Sequence, residues 1–111
     1  MKEIINYSDF DKLDIRVGLV VEATEPEWSE KLIKYVIGFG EEIGKKTLFS
    51  GIRAWYKPED LVGKKLPVII NMTPKKMGPE FSEGMVIMAD TKEKPVMIFL
   101  PDEVEVGSVV R

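Results

Sequence analysis

Ile15-Arg-Val-Gly-Leu-Val-Val-Glu22 is the stretch that decides the architecture. Its residues alternate, with Ile15, Val17, Leu19 and Val21 on one side and Arg16, Gly18, Val20 and Glu22 on the other. A period of two over this length is the signature of a β-strand. Gly18 within it predicts a bulge or a sharp coil of the kind that lets a small sheet close on itself. Upstream, Ser8-Asp-Phe-Asp11 reads as the start of one helical turn, with Ser8 as the cap and Asp11 answering three residues on. Phe10 and Leu13 then share a face.

Downstream the alternation returns in Leu32 to Phe39, where Ile33, Tyr35, Ile37 and Phe39 oppose Lys34, Val36 and Gly38. Gly40-Glu-Glu-Ile-Gly44 is a turn, and Lys45 to Ile52 a third strand. Pro58-Glu-Asp-Leu-Val-Gly63 predicts a short helix, with proline in its first turn and glycine ending it. Leu66 to Met72 and Met85 to Asp90 are the fourth and fifth strands, Pro95 to Leu100 adds a short one, and the tail through Val104, Val106, Val109 and Val110 alternates loosely. Five strands with a helix between the third and fourth give the element order of an all-β, five-stranded OB-fold barrel with small terminal extensions. A generic small barrel or sandwich is the alternative. The 111 residues make one domain, 1–111.

Composition narrows the chemistry. There is no cysteine and no histidine, which removes the usual general base, the usual nucleophile–base pairs and most zinc sites together. The expectation is a non-catalytic protein that needs no cofactor and no metal. The six methionines read as core filling. No segment approaches the roughly 20 apolar residues of a membrane span, and no secretory leader is visible, so a cytoplasmic protein without a membrane partner is expected.

The formal net charge of −3 hides a segregation. Residues 31–76 hold ten basic and four acidic side chains, and the acidic excess lies in the flanking segments. A local positive stripe steers an anion even when net charge is negative. The lysine pairs Lys45-Lys46 and Lys64-Lys65 read as guards of turns and strand ends. Lys31, Lys34, Arg53, Lys75 and Lys76 are the functional candidates.

Lys75 and Lys76 sit in Asn71-Met-Thr-Pro-Lys-Lys-Met-Gly-Pro-Glu-Phe-Ser-Glu-Gly-Met85, a loop stiffened by Pro74 and Pro79 and eased by Gly78 and Gly84. Paired ammonium groups among Asn71, Thr73 and Ser82 suit phosphate and sugar contacts; the alternative is a solvated hairpin-like connection. Trp28 and Phe81, both in loops, are the candidates for stacking a base.

Asp9-Phe-Asp-Lys-Leu-Asp-Ile-Arg-Val-Gly18, Ser50-Gly-Ile52, Tyr56-Lys-Pro-Glu-Asp-Leu-Val-Gly-Lys64 and Asn71…Pro74-Lys-Lys…Ser82-Glu-Gly-Met85 closely resemble the tRNA-binding domain family. Its members occur as free-standing homodimers and as appendages of methionyl-tRNA synthetases. The resemblance implies an OB barrel that binds tRNA by shape, pairs with a second copy through its termini, and works beside or within a methionyl-type synthetase. Matched residue by residue, the tRNA-facing positions fall on Lys31, Ser50, Arg53, Asn71, Lys75, Lys76, Ser82 and Met85. In that role the lysines neutralise phosphates and Met85 packs beneath an unstacked base. Asn71 and Ser82 reach sugar hydroxyls or base edges, or else organise their loop by bonding local backbone. Two features depart from the family: Glu25-Pro-Glu-Trp-Ser-Glu30 replaces a His-Pro-x-Ala-Asp pattern, and Lys76-Met-Gly-Pro lacks an added arginine. Ile37-Gly-Phe-Gly-Glu-Glu-Ile-Gly44 resembles a sister branch of export-related, chaperone-like dimers, so a binder of unfolded peptides is the alternative function.

Overall fold

The computed structural model describes the whole chain, Met1–Arg111. Its elements run α1 (Tyr7–Phe10), β1 (Ile15–Thr24), β2 (Ile33–Gly38), β3 (Lys45–Ser50), α2 (Pro58–Leu61), β4 (Lys65–Ile69), β5 (Lys75–Met77), β6 (Glu80–Ser82), β7 (Met85–Val86), β8 (Met88–Asp90) and β9 (Pro95–Met97). The main sheet is antiparallel in the order β3-β2-β1-β4-β7. Its two edges meet. The Glu83 N–H donates to the Thr47 carbonyl at 2.8 Å, and Glu83 Oε1 accepts from the Thr47 N–H at 2.8 Å. Two residues further along β3, Ser82 Oγ accepts from the Phe49 N–H at 3.1 Å. These bonds nearly close the sheet into the OB-like barrel that the element order predicts, with α2 set between β3 and β4.

The alternating residues of β2 supply the middle of the core. Ile33, Tyr35 and Ile37 are buried and pack with Val20, Phe39, Leu48, Ile52, Leu61, Leu66, Val68, Val86 and Met97. Leu61 is the residue that α2 contributes.

β1 departs from the single alternation expected of it. Ile15 and Val17 are buried, then Gly18 and Val20, while Leu19 and Val21 are only half-buried. The strand changes neighbour midway, pairing with β4 over Ile15–Leu19 and with β2 over Leu19–Thr24. The C-terminal tail also lies along its first half: Gly107 donates to the Val17 carbonyl at 2.8 Å and Val110 to the Ile15 carbonyl at 2.8 Å. The bulge falls between Val20 and Glu22 rather than at Gly18. Gly18 instead serves a close approach, since a Cβ there would strike Ile37 Cγ2 and lie 2.7 Å from Phe39 Cε1.

Three local expectations also shift. The cap of α1 is Asn6, whose N–H donates to Asp9 Oδ2 at 3.2 Å, rather than Ser8. The fifth strand breaks after Val86, and β8 turns away to pair with β9 through Met88↔Met97. The loop between Asn71 and Met85 contains a small hairpin of its own, β5–β6.

Substituting Gly18→Ala is expected to destabilise the barrel by about 1–3 kcal/mol, because the added methyl overpacks the Ile37–Phe39 contact. Chemical denaturation should show a lower midpoint with an unchanged slope.

Candidate functional site

The β5–β6 hairpin is the part of the chain that stands off the barrel, and its register sorts its side chains. Lys75 opposes Ser82, Lys76 opposes Phe81, and Met77 opposes Glu80. Opposed residues share a face and successive ones alternate. Lys75, Met77, Glu80 and Ser82 therefore face one way, and Lys76 with Phe81 the other. Ser82 is buried, whereas Phe81 is 54% exposed.

Three contacts pin the hairpin to the barrel. Lys34 on β2 reaches Glu80 with Nζ–Oε1 at 2.6 Å. Ser82 bonds the β3 backbone as described, and its hydroxyl donates to the Gly84 carbonyl at 3.3 Å. Gly78, at φ +58°, lies under the Trp28 indole so closely that a Cβ would come within 2.5 Å of Cε3. Trp28 also packs against Phe49, with ring centroids 5.5 Å apart. It braces two loops.

Between the hairpin and the end of the barrel lies an open pocket of about 320 Å³. Ser50, Lys75, Ser82 and Met85 line it, four of the eight residues expected at the site. Met85 is 51% exposed. Neither Lys75 nor Lys76 nor Lys31 takes part in the four ion pairs of the chain, which join Lys12–Asp9, Arg16–Asp14, Lys34–Glu80 and Arg53–Glu25. Their ammonium groups are available to an anion.

The other candidates lie outside the pocket wall. Arg53 is committed to the β1–β2 loop: its guanidinium donates to the Pro26 and Ser29 carbonyls and pairs with Glu25 at 3.2 Å. Its own N–H donates to the Lys31 carbonyl at 3.2 Å, which sets exposed Lys31 beside it. Asn71 spends both ends of its amide internally, accepting from the Asp14 N–H at 2.8 Å and donating to the Lys12 carbonyl at 2.7 Å. That bracket holds the N-terminal arm. Lys76 and Phe81 form a separate basic and aromatic pair on the outer face of the hairpin. Lys65 is occupied by the C-terminal segment, donating to the Val104 carbonyl at 2.6 Å, and Lys64 lies 5.5 Å from the Phe99 ring centroid.

The methionines are not core filling, with one exception. Met72, Met77, Met85 and Met88 line the pocket and Met97 alone is in the core. The signal in the sequence is that five of the six methionines fall between positions 72 and 97. Tyr35 was legible only as a core residue, yet its hydroxyl is buried without a hydrogen bond. Burial pushes its pKa well above that of an ordinary phenol, with the Ser50 side chain pulling weakly the other way.

Over residues 15–109 the chain matches the family described as "Putative tRNA binding domain". It is 44% identical over 110 residues to methionine–tRNA ligase of Methanocaldococcus jannaschii, covering 98% of this chain and 17% of that protein. The corresponding ligase of Bdellovibrio bacteriovorus is 42% identical over 109 residues, covering 96% and 16%. The chain thus spans a small part of these relatives. Among solved structures, a MetRS-related protein from Pyrococcus horikoshii superimposes with a TM-score of 0.93 at 37% identity, covering 99% of this chain and 100% of that one. The chaperone CsaA of Bacillus anthracis superimposes with a TM-score of 0.86 at 30% identity, covering 98% and 100%.

Removal of the buried hydroxyl in Ser82→Ala leaves the Phe49 N–H without its partner. A loss of about 1–3 kcal/mol in unfolding free energy is expected. Lys75→Ala, at an exposed position, should stay within about 0.5 kcal/mol of the parent in the same urea titrations.

Proposed function

We propose that this chain, which belongs to the tRNA-binding domain family, holds folded tRNA by its backbone and shape and catalyses no reaction on it. The observation that carries this reading is the placement of Lys75, free of any ion pair, at the mouth of a pocket with the hydroxyl of Ser50 and the thioether of Met85. Lys31 adds a second free cation on the adjoining loop, which Trp28 ties to the hairpin. Cations spaced around a polar and polarisable cleft suit a phosphate backbone passing over an unpaired nucleotide. Lys76 and Phe81 would meet a different part of the same RNA.

The functional unit in this reading is a homodimer, because one barrel offers too few free cations for a molecule as large as tRNA. The N-terminal arm supports it. Ile4, Ile5, Tyr7 and Leu13 are exposed, Ile4 by 89%, and no residue of α1 is buried. Val109 of the adjoining tail is exposed as well. An apolar strip of this kind marks an association surface. The two-fold pairing doubles the cationic surface and adds the gain of bivalency. Likeness to the ligases and to the MetRS-related protein favours action beside or within a methionyl-tRNA synthetase in the cytoplasm. The likeness to CsaA, together with the apolar arm, supports the second reading, a dimeric binder of unfolded peptides. That reading leaves the free lysines without a task.

Lys75→Glu is expected to weaken tRNA binding by roughly tenfold or more through lost phosphate neutralisation, with unchanged thermal melting. Binding should also fall steeply as salt rises, and anisotropy titrations that show neither effect would refute the assignment. Suppression of client aggregation without salt-sensitive tRNA binding would favour the peptide reading instead. Deleting residues 1–13 should yield monomers in sedimentation velocity and weaken tRNA binding by more than the loss of one lysine does.

A further inference from the structure

A hydroxyl buried without a partner costs stability, so one that persists in the middle of a core calls for an explanation. Tyr35 is fully buried and its hydroxyl forms no hydrogen bond, although phenylalanine would fill the same space. The β2–β3 register says what lies near it. Tyr35 opposes Leu48, and Ser50 opposes Ile33, so Ser50 is the diagonal neighbour of Tyr35 on the same, inward face of the sheet. Ser50 also lines the pocket, and its hydroxyl takes part in no hydrogen bond within the protein. Ser50 is also the polar side chain near enough to the Tyr35 phenol to act on it against the effect of burial, although no hydrogen bond joins the two. Two neighbouring hydroxyls, one sealed in the core and one at the pocket surface, thus keep unused capacity.

We propose that Tyr35 is a positioning residue: its hydroxyl orients that of Ser50, which reads the polar edge of a single unpaired nucleobase held in the methionine-lined pocket. This deepens, and rests on, the assignment of tRNA as ligand. A stacked duplex cannot enter a concavity of about 320 Å³, whereas one extruded base can. The methionine side chains Met72, Met77, Met85 and Met88 offer a soft, polarisable wall to its ring faces. Lys75, on the same wall, meets the phosphate beside it. When a base enters, pairing of the two hydroxyls fills the capacity that both leave unused in the free protein, and Ser50 then presents a defined donor or acceptor to the base. An apolar peptide side chain would gain nothing from this arrangement.

The test is a double-mutant cycle read by anisotropy of labelled bulk tRNA at physiological ionic strength. Tyr35→Phe and Ser50→Ala should each weaken binding about three- to tenfold. The double variant should be no weaker than Ser50→Ala, because Tyr35 acts through Ser50. Thermal unfolding of Tyr35→Phe should be unchanged or raised, which separates the effect from damage to the fold. Wild-type affinity in Tyr35→Phe, or losses that add, overturn the proposal. Should Tyr35→Phe not fold, the Tyr35 hydroxyl is structural and the proposal fails; wild-type affinity in Ser50→Ala defeats it as well. A hairpin carrying one unpaired bulged nucleotide should compete better than its fully paired counterpart. Equal competition, or displacement of tRNA from the pocket by an unfolded peptide with the same dependence on Ser50, overturns it. Loss of salt-sensitive tRNA binding in the wild type would instead defeat the tRNA assignment itself.

Discussion

The bonds that tie Ser82 and Glu83 to the exposed edge of β3 are the constraint on which the rest of the molecule depends. A five-stranded sheet has two edges, and each presents unpaired N–H and C=O groups that attract other chains. Here Glu83 answers Thr47 with both its backbone and its carboxylate, and Ser82 supplies the acceptor for Phe49. The edges meet without a full strand pair, because β6 ends at Ser82 and β7 begins at Met85. Closure by one backbone bond and two side chains leaves a gap beside the seam that a continuous ladder would have filled.

That gap is the pocket. Its position follows from the closure: Ser82 and Gly84 come from the seam, Phe49 and Ser50 from the end of β3, and Lys75 and Met77 from the hairpin that projects just before it. The same residues serve the fold and shape the site, and their roles divide by burial. Ser82, Arg53, Asn71 and Trp28 have their polar or aromatic capacity engaged by the protein itself. They fix the loops. Lys31, Lys75 and Met85 are left exposed on the loops and strand so fixed. A rigid scaffold carrying a few free groups loses little entropy when it binds.

Charge follows the same division. Lys34 and Arg53 belong to the basic middle of the sequence, yet each is neutralised by a carboxylate from a neighbouring loop or strand. Lys64 and Lys65 anchor the segment that returns along β4 and β1. What remains is a small set of unpaired cations near the pocket rather than a broad stripe. A small set gives weaker non-specific attraction to any polyanion and leaves more of the discrimination to the shape of the cleft.

The sequence by itself determined the barrel and its order of elements, because strand period, turn glycines and a proline-headed helix are local properties that need no partner to be read. It also determined that the stretch from Asn71 to Met85 is special, through its prolines, its lysines and its likeness to a family. The tertiary structure decided the rest. Neighbouring Lys75 and Lys76 point to opposite faces because a hairpin forms there, and nothing in the order of residues distinguishes that from an open loop. Four methionines that cluster in the sequence face one cavity rather than the core because the β5–β6 hairpin, β7 and β8 are folded around it. Tyr35 and Ser50, fifteen positions apart in the sequence, become neighbours only through the register of two strands. Pairing across a sheet is a long-range choice made by the whole core, and the direction of a side chain follows from it.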